Sequence, residues 1–121
     1  MKIRNAMIIG ATSGIGKALA IELVNDNYKV GITGRRTKLL EELKSDNPEH
    51  YCIKTLDISD IGKTKEKIEE LVDELGGLDL LIISSGTGDI NETLDFETEK
   101  KTIDTNVTGF TFVADWAFNF F

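Results

Sequence analysis

Met7-Ile8-Ile9-Gly10-Ala11-Thr12-Ser13-Gly14-Ile15-Gly16 is the stretch that decides how this chain folds. An apolar run enters a cluster of glycines, as a buried strand does when it closes in a tight turn, and Ile15, Ala18, Leu19 and Leu23 then recur at helical spacing. The stretch is therefore a strand, a turn and the start of a helix. A turn this poor in side chains lets a phosphate approach the backbone. The helix beyond it offers unpaired N–H groups and the positive end of its dipole. The ligand that suits such a turn is a nucleotide diphosphate.

Outward from the turn, the pattern repeats. The first helix runs to about Asn25, where Asn25-Asp26-Asn27 supplies stop and turn chemistry. Lys29-Val30-Gly31-Ile32-Thr33 is a second strand leading into Gly34-Arg35-Arg36. Thr37 is placed to N-cap a helix that carries Leu39, Leu40 and Leu43 on one side. Asn47-Pro48 ends that helix, residues 51–56 form a third strand, and Asp57-Ile58-Ser59-Asp60 is a loop rich in capping residues. Ile61, Ile68, Leu71, Val72 and Leu75 mark a third amphipathic helix, closed by Gly76-Gly77. Residues 78–84 are the most apolar strand, which suits a central position covered on both sides, and Ser84-Ser85-Gly86-Thr87-Gly88 turns out of it. From about Glu97, the spacing of Ile103, Val107, Phe110, Val113, Ala114 and Ala117 predicts one long helix. Strands alternating with helices through short links imply right-handed crossovers. The expected fold is α/β, a doubly wound parallel sheet of about four strands with helices on both faces.

A chain of 121 residues is long enough for one domain with a real core and too short for two. The net charge of −7 argues against nucleic acid or a membrane surface as a partner, while leaving room for a local basic pocket. No apolar run approaches the ~20 residues that span a bilayer, and Met1-Lys2-Ile3-Arg4-Asn5 lacks a secretory h-region, so the expected location is cytoplasmic. The single cysteine, Cys52, excludes a disulfide framework and reads as a small core residue. His50 has no cysteine or histidine cluster around it, so it is expected in a loop and no metal site is expected.

The glycine spacing G-x-x-x-G-x-G, with Ile15 between the last two glycines, differs from the G-x-G-x-x-G of the usual dinucleotide fingerprint. It resembles the short-chain dehydrogenase/reductase family, which carries T-G-x-x-x-G-I-G here; Ile9 stands in place of the family's threonine. The resemblance implies a Rossmann-like sheet with a dinucleotide across the carboxyl ends of its strands, where strand order reverses. Four loops then meet at one site. In the first, made of Gly10, Thr12, Ser13, Gly14, Ile15 and Gly16, backbone N–H groups and the two hydroxyls are expected at pyrophosphate and ribose. Either hydroxyl serves equally well as a helix cap.

The second loop bears on the choice between NAD and NADP. An acidic side chain there accepts a hydrogen bond from the ribose 2′-hydroxyl and repels a 2′-phosphate. The family's NAD-type members carry aspartate where this chain has Gly34, followed by Arg35-Arg36. Guanidiniums offer phosphate a fixed fork of donors, so NADP is expected over NAD. Of the two arginines, Arg36 is the better fit to an ordinary solvent-facing helix start.

Asp57-Ile58 occupies the place of the family's Asp-hydrophobic pair, whose carboxylate accepts from the adenine amino group; a capping role suits Asp57 equally. Ile83-Ser84-Ser85-Gly86 aligns with the family's N-N-A-G, so both asparagines are replaced, while Gly86 keeps open the approach of the nicotinamide ribose. Asparagine is a poor residue for a helix interior, which makes Asn106 stand out. Thr105-Asn106-Val107-Thr108-Gly109 resembles the family's N-V-x-G segment. By that resemblance Asn106 bends the helix, holds a water that feeds protons to the active-site lysine, and is this chain's one contribution to the catalytic machinery.

The family's hydride transfer uses a serine with a Y-x-x-x-K pair, in which the tyrosine passes a proton to or from the substrate oxygen. Tyr28 is followed four residues on by Ile32, and Tyr51 by Thr55, so neither fits. The resemblance covers essentially the whole chain yet only the first half of a family member. Residues 1–121 are expected to be a single cofactor-binding domain, cut off ahead of the catalytic region. The expected function is hydride transfer between NADP(H) and a small-molecule carbonyl or alcohol in the complete protein, the chain alone being inactive. Two rivals are a non-catalytic NADP(H)-binding sensor or regulatory module, and a fragment that packs into an oligomer and binds nothing. A bare edge on the fourth strand beside Phe110, Phe112, Trp116, Phe118, Phe120 and Phe121 predicts a homo-oligomer through that helix or edge.

Overall fold

A computed structural model describes residues 2–12, 14–86 and 92–121. Its elements are β1 (Asn5–Ile9), α1 (Gly14–Asn25), β2 (Lys29–Gly34), α2 (Thr37–Asp46), β3 (Tyr51–Thr55), α3 (Ile61–Leu75), β4 (Leu80–Ile83), α4 (Phe96–Ile103) and α5 (Phe110–Phe120). The four strands form one parallel sheet in the order β3-β2-β1-β4. Strand order therefore reverses between β1 and β4.

Alternation along β1 divides the core. Ile8 packs into one cluster with Ala20 and Val24 of α1 and Leu40 and Leu43 of α2. Met7 and Ile9 point the other way, into a cluster with Ile68, Leu71 and Leu75 of α3 and Val113 of α5. A strand buried on both faces must be apolar throughout, and Ala6, Met7, Ile8 and Ile9 are 0–1% exposed. At Gly31 the space for a side chain is already taken: a Cβ there would lie 2.8 Å from Leu71 Cδ2, so glycine lets α3 close onto β2. Asp60 caps α3 by accepting from Lys63 N–H, and Gly76, with φ +83°, takes the left-handed conformation that ends the helix.

Three expectations need correction. Thr37 does not cap α2; Arg36 holds that position without a side-chain cap bond, because the Thr37 hydroxyl is engaged with Thr55 Oγ1 at 2.6 Å. The most apolar strand, β4, is not covered on both sides: all four of its residues are half-buried, and, as the bare-edge expectation has it, among the described residues it pairs only with β1. The last helix is not one regular helix: between α4 and α5 the backbone widens into a π-helical stretch over Asp104–Gly109. Asn106 sits inside it. Wide turns of this kind loosen the hydrogen-bond ladder that asparagine already disturbs. Thr87 and Gly88 of the predicted turn lie outside the described residues. Among the described residues no helix is long and apolar enough to cross a membrane.

Candidate functional site

A cleft opens across the carboxyl ends of the strands at the reversal of strand order, the position at which open α/β sheets bind their ligands. Its first wall is the glycine turn. Gly10, at φ +91°, has no room for a side chain, since a Cβ would lie 2.7 Å from Ser85 N. Behind it, a Cβ on Gly16 would run into the Gly10 carbonyl oxygen, so the start of α1 can close on the turn only if that residue is glycine.

Thr33 holds the turn in place, a role that the sequence reading did not single out. It is fully buried, and its carbonyl accepts from Gly10 N at 3.2 Å and Ala11 N at 2.9 Å. Its hydroxyl donates to the Ile8 carbonyl and accepts from Gly10 N. Two backbone donors of the turn are thus committed to β2. Among the described residues, the N–H groups of Gly14, Ile15 and Gly16, in the first turn of α1, have no carbonyl one turn earlier within the helix.

The cleft is lined by Gly10 and Thr12 from the first loop, and by Gly34, Arg35 and Arg36 from the second. Leu56, Asp57 and Ile58 follow β3, and Ser84, Ser85 and Gly86 follow β4. Gly14, Ile15 and Gly16 do not line it; Gly16 is buried behind the turn and Ile15 is largely exposed. Ser13 lies outside the described residues. Thr105, rather than Asn106, lines the cleft, although Asn106 Oδ1 comes within 3.6 Å of where a Cβ on Gly86 would stand. Thr105 was missed because its only sequence signal is its place beside that asparagine.

The second loop differs from its sequence reading in one respect. Arg36 does not simply begin a solvent-facing helix: its Nη2 donates to Thr12 Oγ1 at 3.0 Å, joining the second loop to the first. A Cβ at Gly34 would lie 2.5 Å from Thr12 Cγ2, so packing alone disfavours an aspartate at the end of β2. On the β4 side, Ser85 Oγ is buried and has no hydrogen-bond partner among the described residues. That hydroxyl is a candidate polar contact for a ligand in the cleft.

Asp57 is not the cap of α3, a role taken by Asp60. Its Oδ1 accepts from Ser59 N at 3.0 Å and Ser59 Oγ at 2.7 Å. Partial burial pushes the Asp57 carboxyl up, but the two Ser59 donors and the Arg35 charge outweigh that and hold it below its ordinary value. A depressed carboxyl contributes stability above its unfolded pKa, which is lost as pH falls through the folded value. The Asp57→Asn variant is accordingly expected to lose under about 1 kcal/mol near neutrality, an exposed group being screened, and nothing at the acid end below both pKa values. Urea titrations at pH 7 and at successively lower pH check this; a loss that stays constant as the pH falls would assign the effect to packing.

Comparison with known proteins supplies the decisive observation. The family model described as short chain dehydrogenase matches residues 4–121. The chain belongs to the short-chain dehydrogenase family. Among curated relatives of this chain, an uncharacterized oxidoreductase of Myxococcus xanthus is 36% identical over 115 residues, covering 90% of this chain and 45% of the relative. A 3-oxoacyl-[acyl-carrier-protein] reductase of Staphylococcus aureus is 28% identical, over 88% of this chain and 46% of the relative. A solved structure of ElxO with NADP bound superposes with a TM-score of 0.85 at 29% identity, covering 98% of this chain and 50% of that one. A 3-ketoacyl-(acyl-carrier-protein) reductase of Brucella melitensis complexed with NADH, at 23% identity and a TM-score of 0.89, shares the fold. The chain thus spans about half the length of the relatives it matches.

Proposed function

We propose that residues 1–121 are the cofactor-binding domain of an NADP-dependent oxidoreductase, whose complete form transfers hydride between NADP(H) and a carbonyl or alcohol. The observation that carries the reading is the end of β2, where Gly34 presents no carboxylate and Arg35 and Arg36 face the cleft. The local structure fits a dinucleotide. Glycines replace the side chains that would fill the cradle, the first turn of α1 supplies N–H donors, and Ser85 Oγ is buried with no partner among the described residues. When bound, the cofactor supplies or accepts the hydride. Gly10 and Gly16 admit it, Arg35 and Arg36 orient its phosphate end, and Ser84 to Gly86 receive the nicotinamide ribose. ElxO, with NADP bound, supports the phosphate preference by likeness.

Asn106 belongs to the same reading, bending the helix beside Gly86 and positioning proton transfer. No tyrosine of the chain precedes a lysine by four residues, so residues 1–121 alone are inactive in this reading, the Tyr-x-x-x-Lys pair belonging to further sequence. The same fact suits a non-catalytic NADP(H) sensor, and turnover by the intact gene product separates the two. The location we assign is cytoplasmic.

Titration of the chain with NADPH and with NADH, followed by nucleotide fluorescence, tests the reading. NADPH is expected to saturate with at least about tenfold tighter affinity than NADH, the discrimination due to one charge-assisted phosphate contact. Equal affinities, or no saturable binding of either, would overturn it.

Self-association forms part of the proposal. Beside the outer edge of β4, Leu81 and Ile83 line an apolar face with Ala114, Ala117 and Phe118 of α5 and with Phe121 just past its end, and Phe118 is 89% exposed. A parallel edge strand with such a flank pairs readily with another copy. Sedimentation is expected to show dimers or larger species, shifted toward monomer by Phe118→Glu. A clean monomer for the unmodified chain would refute the contact.

A further inference from the structure

The inference concerns a second cavity, and it rests on the cofactor reading above. This cavity shares Arg35, Leu56 and Asp57 with the main cleft and is closed on its far side by Thr55, Asp60, Lys63 and Lys67. Lys63 and Lys67 are one helical turn apart on α3, so their side chains leave the same face. Neither makes an ion pair among the described residues. Other lysines nearby do: Lys54 of β3 holds Glu70 and Glu74, and Lys65 lies 4.0 Å from Glu69. The acids that face the cavity are already engaged, Asp57 by Ser59 and Asp60 by the backbone N–H of Lys63. Three cations therefore outnumber two carboxylates in one pocket of a chain whose net charge is −7.

We infer that Lys63 and Lys67, with Arg35, form a recognition subsite for the adenosine 2′-phosphate, so that cofactor choice is set from α3 as well as from the end of β2. A phosphomonoester carries about −1.5 to −2 charges and several acceptor oxygens, which suits two ammoniums and a guanidinium held around one opening. A 2′-hydroxyl offers those cations nothing comparable. Lys63 and Lys67 are thus specificity-determining, and an acidic residue after β2 is not the only place where NAD and NADP are told apart.

Calorimetric titration of the chain with NADP+ and NAD+ tests this on the unmodified protein, on the double variant Lys63→Gln/Lys67→Gln, and on Lys65→Gln as a control, a lysine of the same helix that does not line this cavity. The double variant is expected to lose about tenfold or more in NADP+ affinity, with NAD+ affinity changed less than about twofold, while Lys65→Gln leaves both in place. The double Lys→Arg variant keeps the charges and is expected to restore NADP+ binding, which separates charge from folding. An unmodified chain that prefers NADP+ while the double glutamine variant keeps that preference would overturn the subsite and leave the cofactor reading standing. No preference in the unmodified chain would overturn the cofactor reading, and the subsite with it.

Discussion

Replacing Gly16 with alanine is expected to lower the thermal midpoint of the chain by at least about 10 °C, equivalent to ~3 kcal/mol, and to abolish dinucleotide binding. The position meant for a Cβ is occupied by the Gly10 carbonyl oxygen. Backbone on both sides leaves no flexible side chain to swing aside, so accommodating one methyl must separate the turn from the helix. That movement has consequences beyond residue 16. The Gly10 and Ala11 N–H groups, bonded to Thr33, would be pulled from a buried acceptor, and the start of α1 would be pushed away from the turn. Gly14→Ala is the control. Nothing lies within 4 Å of a Cβ there, and only the positive φ of +60° opposes substitution, at a cost of about 1–2 kcal/mol. Differential scanning calorimetry of both variants checks the ranking; a Gly16→Ala protein as stable as Gly14→Ala would mean that the turn and helix are not closed on each other.

Removing both arginines, as Arg35→Ala/Arg36→Ala, is expected to weaken NADP+ binding about a hundredfold while NAD+ affinity changes by a factor of about three or less. Charge-assisted hydrogen bonds contribute about 1.5–3 kcal/mol each, and the lower end applies because both side chains are exposed. Together they give roughly 3 kcal/mol, near a hundredfold in affinity. The single variants are expected to differ. Arg35→Ala affects NADP+ selectively, whereas Arg36→Ala also frees Thr12, the Oγ1 of which it holds at 3.0 Å, and so weakens both cofactors. Calorimetric titration separates these outcomes. Equal losses for NADP+ and NAD+ in the Arg35 variant would show that its guanidinium does not meet the phosphate.

The parts of the fold legible in the sequence were those governed by neighbours along the chain. Met7 to Gly16 announced strand, turn and helix because apolar run, glycine spacing and helical periodicity all lie within ten residues of one another. Asp60 and Gly76 bound α3 as their types suggested, since capping is a local contact. Thr37 misled, because its hydroxyl found Thr55, eighteen residues away, instead of its own helix end. The periodicity of the last helix was right in kind and silent about the widening at Asp104–Gly109. There Gly109 packs against Ile58, whose carbonyl would stand 2.6 Å from a Cβ.

By itself, the sequence determined the order of elements, the parallel sheet and the four loops from which a site would be drawn. Each of these follows from patterns with short periods. The tertiary structure decided which residues of those loops meet: Thr33 clamping the glycine turn, Arg36 reaching Thr12, Gly34 kept small by the same threonine, and Thr105 on the wall beside Gly86. The physical reason is that each of these is a contact across the sheet or between crossovers. Its partner is chosen by strand register and close packing, and neither carries a signal at the residue itself.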